Sequence, residues 1–388
     1  MRALLLTILL LSLRNLYSQT PIGTPFITTN PNEWLGWDVD ISENGSVIAI
    51  SSIAYPDYDS PDGLVKLFRQ VEGEWKQIGT DIKVEAAKNS FGYAISLSEN
   101  GNRLAIGAPG HDMPYGGCGA VFIYDLTTNE IINTSIIEGT ASYQGIGFSL
   151  DLSPDGNTLV VGSQNPEYAM VQVYEEQAGE WYLKGEPIKS KAYGDKFGYQ
   201  VMINSAGNRV AAIAISLGVL KGELPNIRVF DFIDGEWQAG YEPISSPDFD
   251  NRVQYFSLSN SGGLIAAKKK NTEYGTITFH DLQDNELEQS PSSITGRLDF
   301  NLILESNRIS LAKDGQIIAV ESSSTIKVFH YNATEWVESS TTITTDKTIQ
   351  NMKLSENGEM LIVSFSGIGF TEREVAVYHI KTALNGNE

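Results

Sequence analysis

The sequence predicts an all-β chain: a seven-bladed β-propeller of four-stranded antiparallel blades, closed by an N-terminal strand. Three observations predict it. One phrase recurs along the chain: an apolar-alternating run, a Ser-x-Asn/Asp-Gly-like turn, then a run of Val, Ile, Leu and Ala. Its turn glycines are Gly45, Gly101, Gly156, Gly207, Gly262, Gly315 and Gly358, spaced by roughly 43 to 56 residues, the range of toroidal β repeats. The third strands also align, as Val65-Lys66-Leu67-Phe68, Val121-Phe122-Ile123-Tyr124 and so on to Val375-Ala376-Val377-Tyr378, with an aromatic closing every unit except at His280. Finally, the last unit has no fourth strand, whereas an extra extended segment, Thr24 to Thr29, precedes the first.

The N-terminus comes first. Met1-Arg2 and the apolar stretch Ala3 to Leu13 have the shape of a secretory signal, expected to be cleaved after Ser18. The stretch is too short to span a bilayer, and Arg14 interrupts it; an uncleaved membrane tether is the alternative. Residues 19–383 are expected to form one propeller with blades starting near 34, 90, 145, 196, 251, 304 and 348, and 384–388 a short tail. If Thr24 to Thr29 completes the last blade, the ring is fastened by its own termini and leaves no open edge at the join.

Within a unit, Phe91 to Ser98 alternates, Glu99-Asn100-Gly101-Asn102 turns, and Arg103 to Pro109 runs back, the signature of a tight hairpin in which Asn-Gly supplies positive φ. Gly119 to Asp125 and Glu130 to Ile136 supply the third and fourth strands. Fourth strands repeatedly open with Glu-Trp, at Trp75, Trp181, Trp237 and Trp336, and this repetition marks packing residues rather than a ligand platform.

Composition bounds the partners. The chain has 388 residues, 41% of them hydrophobic, and no linker or low-complexity stretch interrupts the repeats. With 48 acidic against 27 basic residues, a net charge of -21 repels phosphate backbones, so nucleic acid is excluded as a partner. Lys268-Lys269-Lys270 is read as a solvated edge. The single Cys118 allows no internal disulfide, and a domain this size has core enough without one. Asn44, Asn133 and Asn332 head glycosylation sequons, relevant in a eukaryotic host.

Phe91-Gly92 followed by Gly107-Ala108-Pro109 resembles the FG-GAP repeat of integrin α-subunit propellers and of secreted FG-GAP proteins. The first half persists as Leu35-Gly36, Ile146-Gly147 and Phe197-Gly198, the second decays to Gly162-Ser163, and the last three units have lost the Phe-Gly pair. The resemblance implies a propeller with an extracellular recognition role and no catalysis. It also implies a calcium loop between the two halves, but here that connection is the minimal turn Ser98-Glu99-Asn100-Gly101, which cannot wrap six or seven oxygens. A looser calcium candidate is Asp57, Asp59 and Asp62, with an ordinary acidic loop as the alternative; no cofactor is required.

Long connections join second to third strands, and in a propeller these share one face with the links between blades. That face is expected to present Asp57, Tyr58, Asp59, His111, Asp112, Tyr115, Tyr168 and Arg373 to an extracellular protein or glycan, the protein itself being monomeric. Catalysis needs convergent groups. His280, His330 and His379 fall at structural positions around the ring, which leaves His111 alone, and no Gly-x-Ser-x-Gly or His-Glu-x-x-His occurs. Asp38 lies on a channel-lining strand in register with Ala94, Ser149, Gln200, Tyr255, Arg308 and Asn351, a ring without a second carboxylate, and a structural salt link is expected there. The sequence thus favours a secreted or cell-surface, non-catalytic binding module; a propeller hydrolase acting on glycans or lactones in the channel mouth is the alternative.

Overall fold

In a computed structural model the chain is all-β, with seven antiparallel sheets around one channel. The structure describes residues 19–30, 33–54, 63–84, 90–127, 131–163, 165, 169–190, 196–214, 226–245, 253–270, 275–283, 286–296, 309–312, 314–322, 325–367 and 372–380. The expected signal (1–18), the tail (384–388), the Asp57, Tyr58, Asp59 and Asp62 loop, Tyr168 and Arg308 lie outside the described residues, and so do the side chains of Lys268, Lys269 and Lys270.

Blade 1 shows the plan: Glu33–Ile41 lines the channel, followed outward by Val47–Ala54, Leu64–Val71 and Glu74–Gln77. In blades 1, 3 and 4 the outer strand breaks and resumes as a two-residue piece on the same third strand, as at Ile82–Lys83 beside Leu64–Val71. The chain is closed as its sequence predicts. Phe26–Thr28 pairs antiparallel with Arg373–His379, Phe26 opposite Val375, and supplies the missing strand of blade 7. Phe26 also stacks at 4.3 Å on Phe68 of blade 1, so the same segment covers the edge and seals the neighbouring blade.

Each blade is apolar on both faces, and the core is divided into seven interblade layers. Between blades 1 and 2, for example, Val47, Leu67 and Ile82 meet Phe91, Ile106 and Phe122. The recurrent tryptophans belong to these layers, as expected. Trp336 stacks on Phe279 at 4.3 Å, Arg103 lies over Trp181, and the indole N–H groups of Trp75 and Trp237 donate to the carbonyls of Ile22 and Lys184.

The first hairpins of blades 1, 2, 3, 5 and 7 use one device, a serine side chain. In blade 2, Ser98 Oγ accepts from the N–H of Arg103 and donates to Asn100 Oδ1, while Gly101 N–H bonds back to the Ser98 carbonyl. The φ of Gly101 is +67°, and Asn100 is not among the residues of positive φ. The expectation that the Asn-Gly pair shares the positive φ is therefore corrected: a glycine follows a turn capped by Ser and Asn side chains.

The Phe-Gly and Gly-Ala-Pro segments pair within their own blade, Gly92 N–H donating to the Gly107 carbonyl, and also meet between blades. Gly147 of blade 3, at φ +83°, lies against Gly107 of blade 2, and a Cβ on Gly107 would stand 2.1 Å from the Gly147 carbonyl oxygen. The next blade pair repeats this, with Gly162 against the carbonyl of Gly198. The two halves therefore form a close-approach joint between neighbouring blades.

Candidate functional site

The innermost strand of each blade leaves one backbone edge facing its neighbour across the channel wall, and buried N–H groups there require acceptors. The side chain at one register position supplies them. Asp40 Oδ2 accepts from Leu97, Ser96 Oγ from Leu152, Asp151 Oδ2 from Ile203, Met202 Sδ from Leu258, Ser257 Oγ from Leu311 and Ser310 Oγ from Leu354, at 2.7–3.3 Å. The belt thus links blades 1 to 7 in sequence. At the last junction the position holds Lys353, which has no acceptor, and Asp40 Oδ1 serves the Ile41 N–H of its own blade at 2.8 Å.

The lysine is placed by this register among carboxyl groups. Burial works against the Lys353 charge, but the carboxylates of Asp40, Asp151, Glu356 and Asp38 outweigh it and raise its pKa. Burial pushes Asp151 up to about 6 and Glu356 up to about 8, with Lys353 pulling both down, and raises Asp40 as well. Glu99, in the turn of blade 2, accepts a hydrogen bond from the Asn260 side chain in the turn of blade 5. The turn backbones also touch, Glu43 N–H to the Glu99 carbonyl and Glu99 N–H to the Pro154 carbonyl. This end of the channel, formed by the short hairpins, is bridged across.

The other end is a cavity of about 170 Å³ opening on the long-loop face. Part of its wall is an aromatic arc. Trp37, Tyr93, Phe148 and Tyr199 occupy the same register position in blades 1 to 4, with successive ring centroids 5.2, 4.7 and 5.4 Å apart. All four follow directly on the repeated Phe-Gly, Leu-Gly or Ile-Gly pair, whose glycine lets the backbone turn into the channel at positive φ. Trp37 is held by an indole N–H bond of 2.9 Å to the Tyr93 carbonyl.

The lining also carries polar groups, among them Asp38, Gln200, Gln350, Asn351 and Arg373. Asp38 Oδ2 accepts from Ile95 N–H, and Oδ1 from Val39 N–H and from Asn351 Nδ2 at 2.7 Å. Where a salt link was expected at Asp38, its described side-chain partner is the neutral amide of Asn351. Burial pushes its carboxyl up to about 7 against the pull of Ile95 N–H, so Asp38 can exchange a proton near neutral pH. The ring of Asp38 holds no second carboxylate among its described members, but the ring two residues deeper does: Asp40 and Asp151 line the same cavity. The same period-two register would have found them, and Lys353 with them.

Of the other predicted positions, Arg373 is buried at 2% exposure and lies 4.1 Å over the Trp34 ring, forming part of the cavity wall instead of a loop tip. His111 is tucked edge-on against Phe122, 3.8 Å from Glu138. Asp112 and Tyr115 are exposed, Asp112 fixing its loop by accepting from Gly117 N–H. His280 is buried and bonds Thr278 at 2.9 Å, and His330 is buried with its pKa lowered by desolvation. Asn44, Asn133 and Asn332 are exposed; the side chains of Asn44 and Asn332 each cap their own turn. Among the described residues no cluster of three His, Cys, Asp or Glu side chains is arranged to hold a metal ion, and no helix is long and apolar enough to cross a membrane.

No family model matches the chain, and no curated protein matches it. Solved structures do match. Hydrazine synthase of Kuenenia stuttgartiensis aligns with a TM-score of 0.62 at 14% identity, covering 93% of this chain and 99% of that one. The Cps50 (Swd1) β-propeller domain of Myceliophteria thermophila gives 0.58 at 12% identity, covering 88% and 96%. A putative 6-phosphogluconolactonase from Bacteroides uniformis gives 0.56 at 13%, covering 80% and 86%. At these identities the likeness is one of fold, and the fold is that of a β-propeller.

Proposed function

We propose that the protein is a secreted or cell-surface, non-catalytic recognition module that binds an extracellular protein or glycan on its long-loop face, around the channel mouth. One observation carries the reading: the channel is bridged at its hairpin end and opens at the other as an aromatic-lined cavity with convergent polar groups. The resemblance to FG-GAP propellers and the signal-like N-terminus support the extracellular setting, with a tethered form as the variant of it. The module acts as a monomer and needs no cofactor, calcium at the Asp57 loop being an accessory.

The experiment is a binding screen of the mature chain, residues 19–388, against glycan arrays and extracellular protein fractions with and without calcium. Capture that is lost when Tyr115 and Asp112 on the face are both changed to Ala supports the reading. Capture that instead follows substitutions on the hairpin turns opposes it.

A hydrolase of glycans or lactones is the second reading, favoured by Asp38 and Asp151 sharing one cavity with pKa values near 7 and 6. Against it, every Asp38 and Asp40 oxygen already accepts at least one hydrogen bond, most of them from the backbone. A phosphorylated lactone also finds little support, because among the described residues Arg373 and Lys353 are the cations lining the cavity and Lys353 is outweighed by carboxyl groups. Turnover of nitrophenyl glycosides or simple lactones that vanishes in Asp38→Asn would establish this alternative.

A further inference from the structure

We infer that the channel-mouth cavity is a seat for one uncharged pyranose ring, stacked on the arc of Trp37, Tyr93, Phe148 and Tyr199 and hydrogen-bonded to Gln350 in the same lining. The inference rests on the recognition reading above and narrows it to a ligand class.

Four features of the cavity point the same way. Its volume of about 170 Å³ is below the roughly 300 Å³ at which pockets for drug-sized ligands begin. It therefore holds a single small ring. Its aromatic wall is continuous over four blades, and successive rings are tilted by 38–53°, giving a concave apolar surface suited to the C–H face of a puckered sugar. A flat aromatic ligand would match one of those rings and miss its neighbours.

The third feature is Gln350. It is 8% exposed, it lines the cavity, and its Nε2 has no hydrogen-bond partner among the described residues. A buried amide N–H pair without a partner carries a desolvation cost that a ligand oxygen would relieve. A sugar hydroxyl is such an acceptor, and its own O–H can at the same time donate a hydrogen bond to another oxygen on the wall. The last feature is charge. Asp38, Asp40 and Asp151 line the same cavity as Lys353, whose charge they and Glu356 outweigh, and Arg373 lies over the Trp34 ring. Around Lys353 the site therefore offers an anion no free counter-ion, whereas a neutral polyol needs none.

The test is saturation-transfer NMR on the mature chain with the methyl pyranosides of glucose, galactose, mannose and N-acetylglucosamine, with glucose 6-phosphate as the charged control. At least one neutral glycoside is expected to bind with a Kd on the order of 1 mM, the strength a ligand of this size reaches, and the phosphate to bind at least about tenfold more weakly. Gln350→Ala and the near-isosteric Gln350→Glu should each weaken binding about tenfold while the thermal midpoint stays put, as should Tyr199→Ala. Tyr182→Ala, on the exposed outer strand of blade 3, should leave it unchanged. A neutral oligosaccharide ending in the preferred ring that binds more tightly identifies a glycan end as the source, and equal affinity identifies the free sugar. Absence of any glycoside signal up to about 50 mM, far above that expected Kd, or full binding by folded Gln350→Ala and Gln350→Glu, overturns the inference. If the binding screen still captures a partner through the long-loop face, the broader reading survives and only the sugar seat is lost.

Discussion

Replacing Lys353 by Met keeps length and volume but removes the cation around which Asp40, Asp151 and Glu356 gather. Deleting one partner of a buried charge group leaves the others uncompensated, at a cost of about 3–5 kcal/mol. Unfolding entropy near 2.1 cal/mol/K per residue, over about 360 residues, is about 0.8 kcal/mol/K, so Lys353→Met should lower Tm by about 4–6 °C at pH 8. The pH dependence identifies the cause. In the fold Asp151 and Glu356 sit near 6 and 8, above their unfolded values, so their contribution to stability is fully present below about pH 4 and is lost as pH rises through 6 and 8. Without the ammonium these carboxyls move further up, and at pH 5 they are neutral and need no counter-charge. The deficit should therefore shrink to below about 2 °C at pH 5. Scanning calorimetry of both proteins between pH 5 and 8.5 reads this directly. A Tm within about 1 °C of wild type at pH 8, or a deficit that grows on acidification, refutes the electrostatic account of the channel floor.

Other perturbations test the joints of the ring. Gly147→Ala forces a side chain into positive φ and puts its Cβ 2.6 Å from the Ala120 carbonyl oxygen, so a loss of about 3 kcal/mol is expected in urea unfolding. Ser310→Ala leaves the Leu354 N–H without its acceptor and should cost about 1–2 kcal/mol by the same assay, more than a truncation at an exposed serine. Removing residues 19–29 bares the outer edge of Arg373–His379; light scattering should then show self-association, and a fully monomeric product of unchanged Tm would contradict the role of the closing strand.

The blade count, the hairpins, the packing role of the tryptophans and the closing segment were legible because each is set by residues close in sequence. A turn glycine follows its own Ser and Asn, and a β-branched run alternates within one strand. What escaped a reading of single units lies between units. Gly107 and Gly147 are joined across blades, and Asp40 serves the N–H of Leu97 in the next repeat. Asp38 stood out as polar in its own register, yet Asp40, Asp151 and Lys353 share the register two residues on, which only a second alignment of the repeats reveals. Arg373 was recognised as a face residue, but its burial over Trp34 depends on a closure that brings blade 7 against blade 1. Gln350 carried no local signal, since what distinguishes it is an amide without a partner in an assembled wall.

The pairing of Phe26 with Val375 also sets an order of events in synthesis. Phe26–Thr28 has no mate until Arg373–His379 has been made, after the strands of the other six blades. Until then blades 1 and 7 each present an open flank, and the nascent chain is at its most vulnerable to pairing with another copy. A chain stopped just before Arg373 would hold most of its interblade layers and still have no ring.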